Sequence, residues 1–251
     1  MKKQPVYLKF TNSDETHNGF KFNTGLNTDT NPFDPDPDHK CGPYGLYFTD
    51  ADQCVPWIVY DMVYVREVTL PKNEPVVTFD DKCRAHRIIM GPRHDLSKVA
   101  SWKWMLSKGV NVTADDNWAV RRASRNGHLS VVKFLVSQGA DVTAGDNAAV
   151  SEASECGHLD VVKYLVSKGA DVTANYNAAI RWASEGGHLD VVKYLVSKGA
   201  DVTADNNYAV VAASGAGHLD VVKYLVSKGA DITARDNRAV RMARGHLDVV
   251  D

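Results

Sequence analysis

The sequence has no long hydrophobic run. Nowhere does it approach the roughly 18 apolar residues a membrane-spanning helix needs. Its start, Met-Lys-Lys-Gln-Pro-Val-Tyr-Leu-Lys-Phe, is too polar and short for the apolar stretch of a secretory signal. An intracellular protein that is neither secreted nor membrane-bound is expected. An excess of one charge is also lacking: the net charge is −2. Residues 1–91 carry 10 Lys/Arg against 13 Asp/Glu and the remainder 19 against 18, so neither part offers the basic field that nucleic acid requires. Cysteine is scarce, with four residues (Cys41, Cys54, Cys83, Cys156) at irregular spacing, which fits reduced thiols rather than a disulfide framework. There is no glycine-rich phosphate loop, no nucleophile elbow and no paired-carboxylate signature. These absences argue against the commoner enzyme classes and against a bound cofactor.

What the chain does have is self-similarity. The stretch Gly-His-Leu-(Asp/Ser)-Val-Val-Lys-(Tyr/Phe)-Leu-Val-Ser-(Lys/Gln)-Gly-Ala-Asp begins at Gly127, Gly157, Gly187 and Gly217, always 30 residues apart. A fixed period of this size means stacked supersecondary units rather than one globular core. In residues 201–230, Asn207 is placed to cap a short first helix, with Ala209, Val210 and Ala213 on one face and Gly217 ending it. A second helix from about His218 presents Leu219, Val222, Leu225 and Val226 as an apolar stripe and stops at Gly229. Alanine recurs at 119, 149, 179, 209 and 239 and at 123, 153, 183, 213 and 243, so first helices can approach closely. The larger side chains lie on the second helix, which curves the stack with the first helices on its concave side.

Gly-His-Leu-Asp-Val-Val-Lys-Tyr-Leu-Val-Ser-Lys-Gly-Ala-Asp-Val is very similar to the second helix and following loop of ankyrin repeats. The resemblance covers roughly residues 97–251. It implies an all-α ankyrin-repeat solenoid and binding of partner proteins through fingers and concave face. Two departures stand out. The unit is 30 residues where about 33 is usual, and the usual Thr-Pro-Leu-His opening is absent. The shortening falls in the β-hairpin finger, so short fingers are expected. The 30-residue variant resembles ankyrin proteins that amoeba-infecting giant DNA viruses carry in large numbers. Residues 157–174 and 187–204 are identical, which suggests duplication within the gene.

The expected organisation is a small α+β domain over residues 1–91, then the array over 92–251. The array comprises a degenerate first unit at 92–110, full units from 111, 141, 171 and 201, and a shortened last unit at 231–251. Trp102 and Trp104 suit a terminal unit that packs against something other than a repeat. In the last unit only Arg244 separates Ala243 from Gly245, two residues short; at about 100° each this turns the helix phase by roughly 200°. A frayed C-terminus with some exposed apolar surface is expected.

Within one chain, positions fixed across units report packing and positions that vary are free for recognition. The varying set with recognition chemistry is Asp115, Asp116, Trp118, Arg121, Arg122, Arg125, Asp146, Glu152, Glu155, Tyr176, Arg181, Trp182, Glu185 and Tyr208. Trp, Tyr and Arg are the usual anchors of protein interfaces. The recurring His128, His158, His188, His218 and His246 do not suit a metal ladder, because stacked helices lie about 10 Å apart and metal bonds are about 2 Å. They read as turn histidines bonded to nearby backbone.

In residues 1–91, Val6–Phe10, Tyr44–Thr49, Met62–Leu70, Val76–Phe79 and Arg87–Met90 read as strands, Asp50–Tyr60 as a short helix, and the proline- and acid-rich Asn31–Pro43 as a loop. The region resembles the segment found ahead of repeats in the giant-virus proteins. His17, Tyr47 and Glu67 loosely resemble the His/Tyr/Glu set of ADP-ribosyltransferases. His39, Cys41, Cys54, Cys83 and His86 could be imagined as a zinc site, with scattered core thiols as the alternative. The reading favoured is a non-enzymatic, monomeric adaptor without cofactor or metal. It would bind one or more proteins of a host cell, in cytoplasm or nucleus, and neither nucleic acid nor membrane. The alternative is a small N-terminal enzyme targeted by the repeats.

Overall fold

The computed structural model describes residues 5–17, 19–39, 45–58 and 62–243. The chain divides into two compact units, residues 1–119 and 120–251.

The first unit is strand-rich. Ten strands are described: β1 (Tyr7–Thr11), β2 (Thr16–His17), β3 (Phe20–Lys21), β4 (Gly25–Thr28), β5 (Leu46–Asp50), β6 (Tyr64–Thr69), β7 (Val76–Thr78), β8 (Cys83–Ala85), β9 (Arg87–Met90) and β10 (His94–Asp95). Seven form one antiparallel sheet in the order β4-β9-β6-β1-β5-β8-β7, β10 adds to β6, and β2 and β3 form a separate hairpin. On the central β1, Leu8 stands opposite Glu67 on one side and Thr49 on the other. Phe22, Leu46, Phe48, Val68, Ile88 and Met90 pack into the core. Lys9 is buried among them with its amine 4.8 Å over the Phe22 ring, and burial lowers its pKa to about 7.

The strands expected from sequence lie where expected within a residue or two, with Tyr44 outside the described residues. The expected helix at Asp50–Tyr60 is corrected. Asp50 is the last residue of β5, and the next element is a single 3-10 turn, Val55–Trp57, with a proline at its start and no side-chain cap; residues 59–61 lie outside the described residues. The loop after Asn31 is ordered by a buried cation. Arg84, 0% exposed on β8, donates to the carbonyls of Asp34 (2.6 Å), Asp36 (3.0 Å) and His39 (2.7 Å). Proline-rich backbone has carbonyls to spare, and a guanidinium is the side chain with enough donors to collect three of them. Helix α1 (Val99–Ser107) comes next. Trp102 is buried and donates to the Leu96 carbonyl at 2.8 Å, and Trp104 stacks on His94 at 3.8 Å. The tryptophans of the degenerate unit thus face the strand-rich segment, as their lack of repeat character implies.

In the second unit short helices alternate. The first-helix series is α2 (Ala114–Arg125, which begins before residue 120), α4 (Ala144–Glu155), α6 (Ala174–Glu185), α8 (Ala204–Gly215) and α10 (Ala234–Met242). The second-helix series is α3 (Leu129–Ser137), α5 (Leu159–Ser167), α7 (Leu189–Ser197) and α9 (Leu219–Ser227). The repeated alanines of the first series are buried throughout. Glycines end helices as expected: Gly157 has φ +75° and Gly169 φ +100°. The stripe of the second helix is shifted from the expectation. Val221, Val222 and Leu225 are buried, Leu219 is half-buried and Val226 is 42% exposed. At about 100° per residue the three buried positions span a single arc of roughly 100°, and Leu219 and Val226 fall about 40–60° beyond it.

The finger is a single left-handed turn. Asp205, Asn206 and Asn207 have φ of 50°, 52° and 62°, and the Asn207 amide closes the turn on the Thr203 carbonyl at 2.9 Å. The same turn occurs at 115–117, 145–147 and 175–177. A left-handed turn costs an L-residue about 1–2 kcal/mol per position, least for Gly, Asn and Asp, and those three residues fill all but one of these places. Asn207 is therefore not a helix cap. Its Oδ1 accepts from the amide of Asp231 in the next unit at 2.7 Å; Asn147 and Asn177 bracket Asp171 and Asp201 in the same way, at 2.8 Å each.

A second bracket joins the other end of each unit. The Nε2 of His158, His188 and His218 donates to the carbonyls of Arg125, Glu155 and Glu185 at 2.9, 2.9 and 3.0 Å. The turn histidine thus bonds backbone, but across the junction. A Cβ on Gly157 would lie 2.5 Å from His188 Nδ1, so glycine is needed there for room as well as for φ.

Asn177→Gly should cost about 1 kcal/mol, one hydrogen bond, and Asn177→Ala about 1 kcal/mol more for the left-handed backbone; urea midpoints measure both, and equal losses would refute the bracket-plus-turn account. The carboxylates of Asp171 and Asp231 are held below their usual range by the hydroxyl and then the amide of the threonine two residues on, and Asp141 by the amide and then the hydroxyl. Depressed folded values add stability that is complete above the unfolded pKa of about 3.9 and fades as pH falls through it. Between about pH 5 and 3 the melting temperature should therefore fall more for the wild type than for the variant with Asn at 141, 171 and 231. Parallel slopes would count against it.

Candidate functional site

The varying residues lie on the left-handed turns and along the first helices. In the first unit, Asp115 and Asp116 are exposed on the turn, while Trp118 is half-buried with its indole donating to the Ile58 carbonyl at 3.1 Å.

In the second unit much of the set is engaged within the array. Arg121 pairs with Glu152 at 2.9 Å and Arg122 with the other oxygen of that carboxylate at 3.2 Å. Arg125 pairs with Glu155 through both guanidinium nitrogens. Arg122 is only 2% exposed, which makes it a packing residue within the junction. Two junctions on, Arg181 pairs with Asp205 at 3.0 Å, and its guanidinium lies 5.4 Å over the Tyr208 ring, leaving Tyr208 half-buried. Variation between units is thus partly internal: an arginine on one unit is matched by a carboxylate on the next.

Five of the candidates in this unit remain well displayed or at the edge of open surface. Tyr176 is 77% exposed and Trp182 39%. Asp146 and Glu185 are exposed, and Glu155 lines a depression with Trp182. Tyr176 is also the one aromatic residue in a left-handed turn position, with φ +54°; a bulky residue there is a genuine outlier. That depression is also lined by Gly145, Ala148, Ser151 and Ala178, none of which is in the set with recognition chemistry. The available signal was size: 148 and 178 carry alanine where 118 and 208 carry Trp and Tyr.

The other candidate chemistries gain nothing from the geometry. Cys41 lies outside the described residues. Burial pushes the Cys54 thiol up to about 12, and His39 bonds Asp34 at 2.6 Å. Among the described residues no three His, Cys, Asp or Glu side chains gather as a metal site would require. Tyr47 packs under the Arg84 and Lys82 cations, Glu67 pairs with Lys108 at 2.6 Å, and the His17 side chain lies outside the described set. No helix among the described residues is long and apolar enough to cross a membrane.

A protein of stacked helix pairs with a variable first-helix face is the class this geometry defines. The sequence profile of ankyrin repeats, three copies long, matches residues 96–176 and 151–236, and the chain belongs to the ankyrin-repeat family. Its relatives include two ankyrin repeat proteins of Acanthamoeba polyphaga mimivirus. One is 36% identical over 133 residues, covering 51% of this chain and 65% of the relative. The other is 39% identical over 132 residues, covering 51% and 39%. An uncharacterized protein of the same virus is 31% identical over 131 residues, covering 51% of this chain and 94% of that one. The chain thus spans less than two thirds of the first two relatives. The resemblance to the giant-virus ankyrin proteins holds. Ankyrin repeats are in general modules of protein–protein interaction.

Removing Glu152 leaves Arg122 buried without its carboxylate. Glu152→Ala should therefore cost about 2–4 kcal/mol, whereas Glu155→Ala, at a partly exposed pair, should cost less than about 1 kcal/mol. Denaturant titration of the two variants distinguishes them, and a reversed order would remove the packing role of Arg122.

Proposed function

We propose that the chain is a non-enzymatic adaptor whose first-helix face, within residues 120–243, holds a partner protein. The observation that supports it best is the display of two large aromatics, Tyr176 and Trp182, the second lining a depression together with alanine and glycine. Leaving such side chains in water gains a folded chain nothing, and Tyr176 does so from a backbone conformation that disfavours it. Aromatic anchors next to small residues are what a partner's side chains need for close approach. Residues 1–91 serve as a binding or capping region without catalytic activity. On this reading the partner is a host-cell protein, met inside the cell by a monomeric adaptor; the viral origin of the relatives is in keeping with a host partner.

The test places a photo-reactive residue at Tyr176, or at Lys163 on a second helix, in the full chain exposed to amoebal extract. Cross-linking to a discrete protein is expected from position 176 and not from 163, and it should disappear in a Trp182→Ala background that melts like the wild type. Equal labelling from both positions would sink the assignment of the face.

A further inference from the structure

The successive first-helix junctions of the second unit are copies of one another, so each shows what the others can hold. Between α2 and α4, Arg121 and Arg122 reach Glu152, and Arg125 reaches Glu155. Between α6 and α8, Arg181 lies between the Asp205 carboxylate and the Tyr208 ring. Both junctions enclose a guanidinium beside a carboxylate, the second with an aromatic face as well. Between α4 and α6 the chain supplies no arginine of its own, because the position equivalent to Arg121 and Arg181 is Ser151. The surface there sinks into a depression lined by Ala148, Ala178, Trp182, Asp146, Glu152 and Glu155, the two glutamates already paired with Arg121, Arg122 and Arg125; no lysine or arginine is among its lining residues.

We propose that this depression receives an arginine side chain of the partner protein. The inference rests on the reading that the first-helix face binds protein, and it names the chemistry of the contact. The incoming guanidinium stacks on Trp182 and donates to Asp146, a cation held between a ring and a carboxylate as Arg181 is held between Tyr208 and Asp205, but by side chains at other positions of the unit. Arginine is favoured over lysine because a planar, weakly hydrated cation can lie flat on an indole while its edge bonds a carboxylate. Acidic side chains and phosphate groups are disfavoured because they would set a second anion against Asp146.

The test titrates the full, isotope-labelled chain with acetyl-Gly-Arg-Gly-amide and with the citrulline peptide, which has the same shape and no charge. For the arginine peptide, shifts should be confined to the amides of Ala148, Ser151 and Ala178 and the Trp182 indole. The citrulline peptide should need at least about tenfold more for the same shift. Asp146→Asn should weaken binding about fivefold, the weight of one exposed charge pair. Ser151→Arg, which gives this junction its own arginine, should abolish binding; Ala148→Leu, which fills the depression, does the same if Ser151→Arg fails to fold. Equal response to the two peptides, shifts scattered over the surface, or full binding by a folded Ser151→Arg or Ala148→Leu chain would overturn the proposal. If position 176 still cross-links a protein while the arginine peptide does not bind, the arginine assignment falls and the protein-binding face stands; if neither occurs, both fall.

Discussion

The array depends on one contact, the imidazole of each Gly-His turn laid over the glycine of the preceding turn. The ring nitrogen closes a hydrogen bond to a carbonyl at that unit's helix end. A side chain on the glycine would occupy the space of the ring. A different spacing would leave the carbonyl without its donor. At the opposite end of the unit the Asn bracket repeats the device with the roles reversed, a side-chain oxygen taking a backbone amide. Two polar contacts thus fix the position of each unit on the next, while the apolar residues between them supply most of the stabilisation.

The left-handed turn is a consequence of the short unit. With no length for a β-hairpin finger, the chain reverses in three residues of positive φ, and the 30-residue period is least strained where those places are filled by Asn, Asp or Gly. What looks like variable sequence at the turn is largely a choice within that set. Tyr176 departs from it, which makes it a far better pointer to function than the acidic residues around it. Along the helices a similar sorting applies: arginines that read as anchors for a partner are in part bonded to the acids of the neighbouring unit.

Much of the fold was legible in the sequence because repetition amplifies weak signals. Glycine ends, alanine contacts and helix phase each recur in every unit. The turn was not legible, because Asn at the start of a helix has a familiar role as a cap, and its reach to Asp231 needs the neighbouring unit in place. The pairing of Arg122 with Glu152 was hidden for the same reason, since residues 30 apart in sequence meet only after stacking. In residues 1–91 nothing repeats. The two-residue strands β2 and β3, and β10 just beyond, carry too little alternation to be seen, and the 3-10 turn at Val55 was read as a longer helix. The depression beside Trp182 was missed because an absence of bulk draws less notice than a tryptophan.

Both brackets are addressed to main-chain atoms, an amide on one side and a carbonyl on the other, and every unit offers the same pair. A unit inserted between two others would therefore find matching partners above and below without any further change. The identity of residues 157–174 with 187–204 shows the sequence in that interchangeable condition. Reach along a partner can be lengthened or shortened by whole copies, while the few residues that face outward diverge afterwards, one unit at a time.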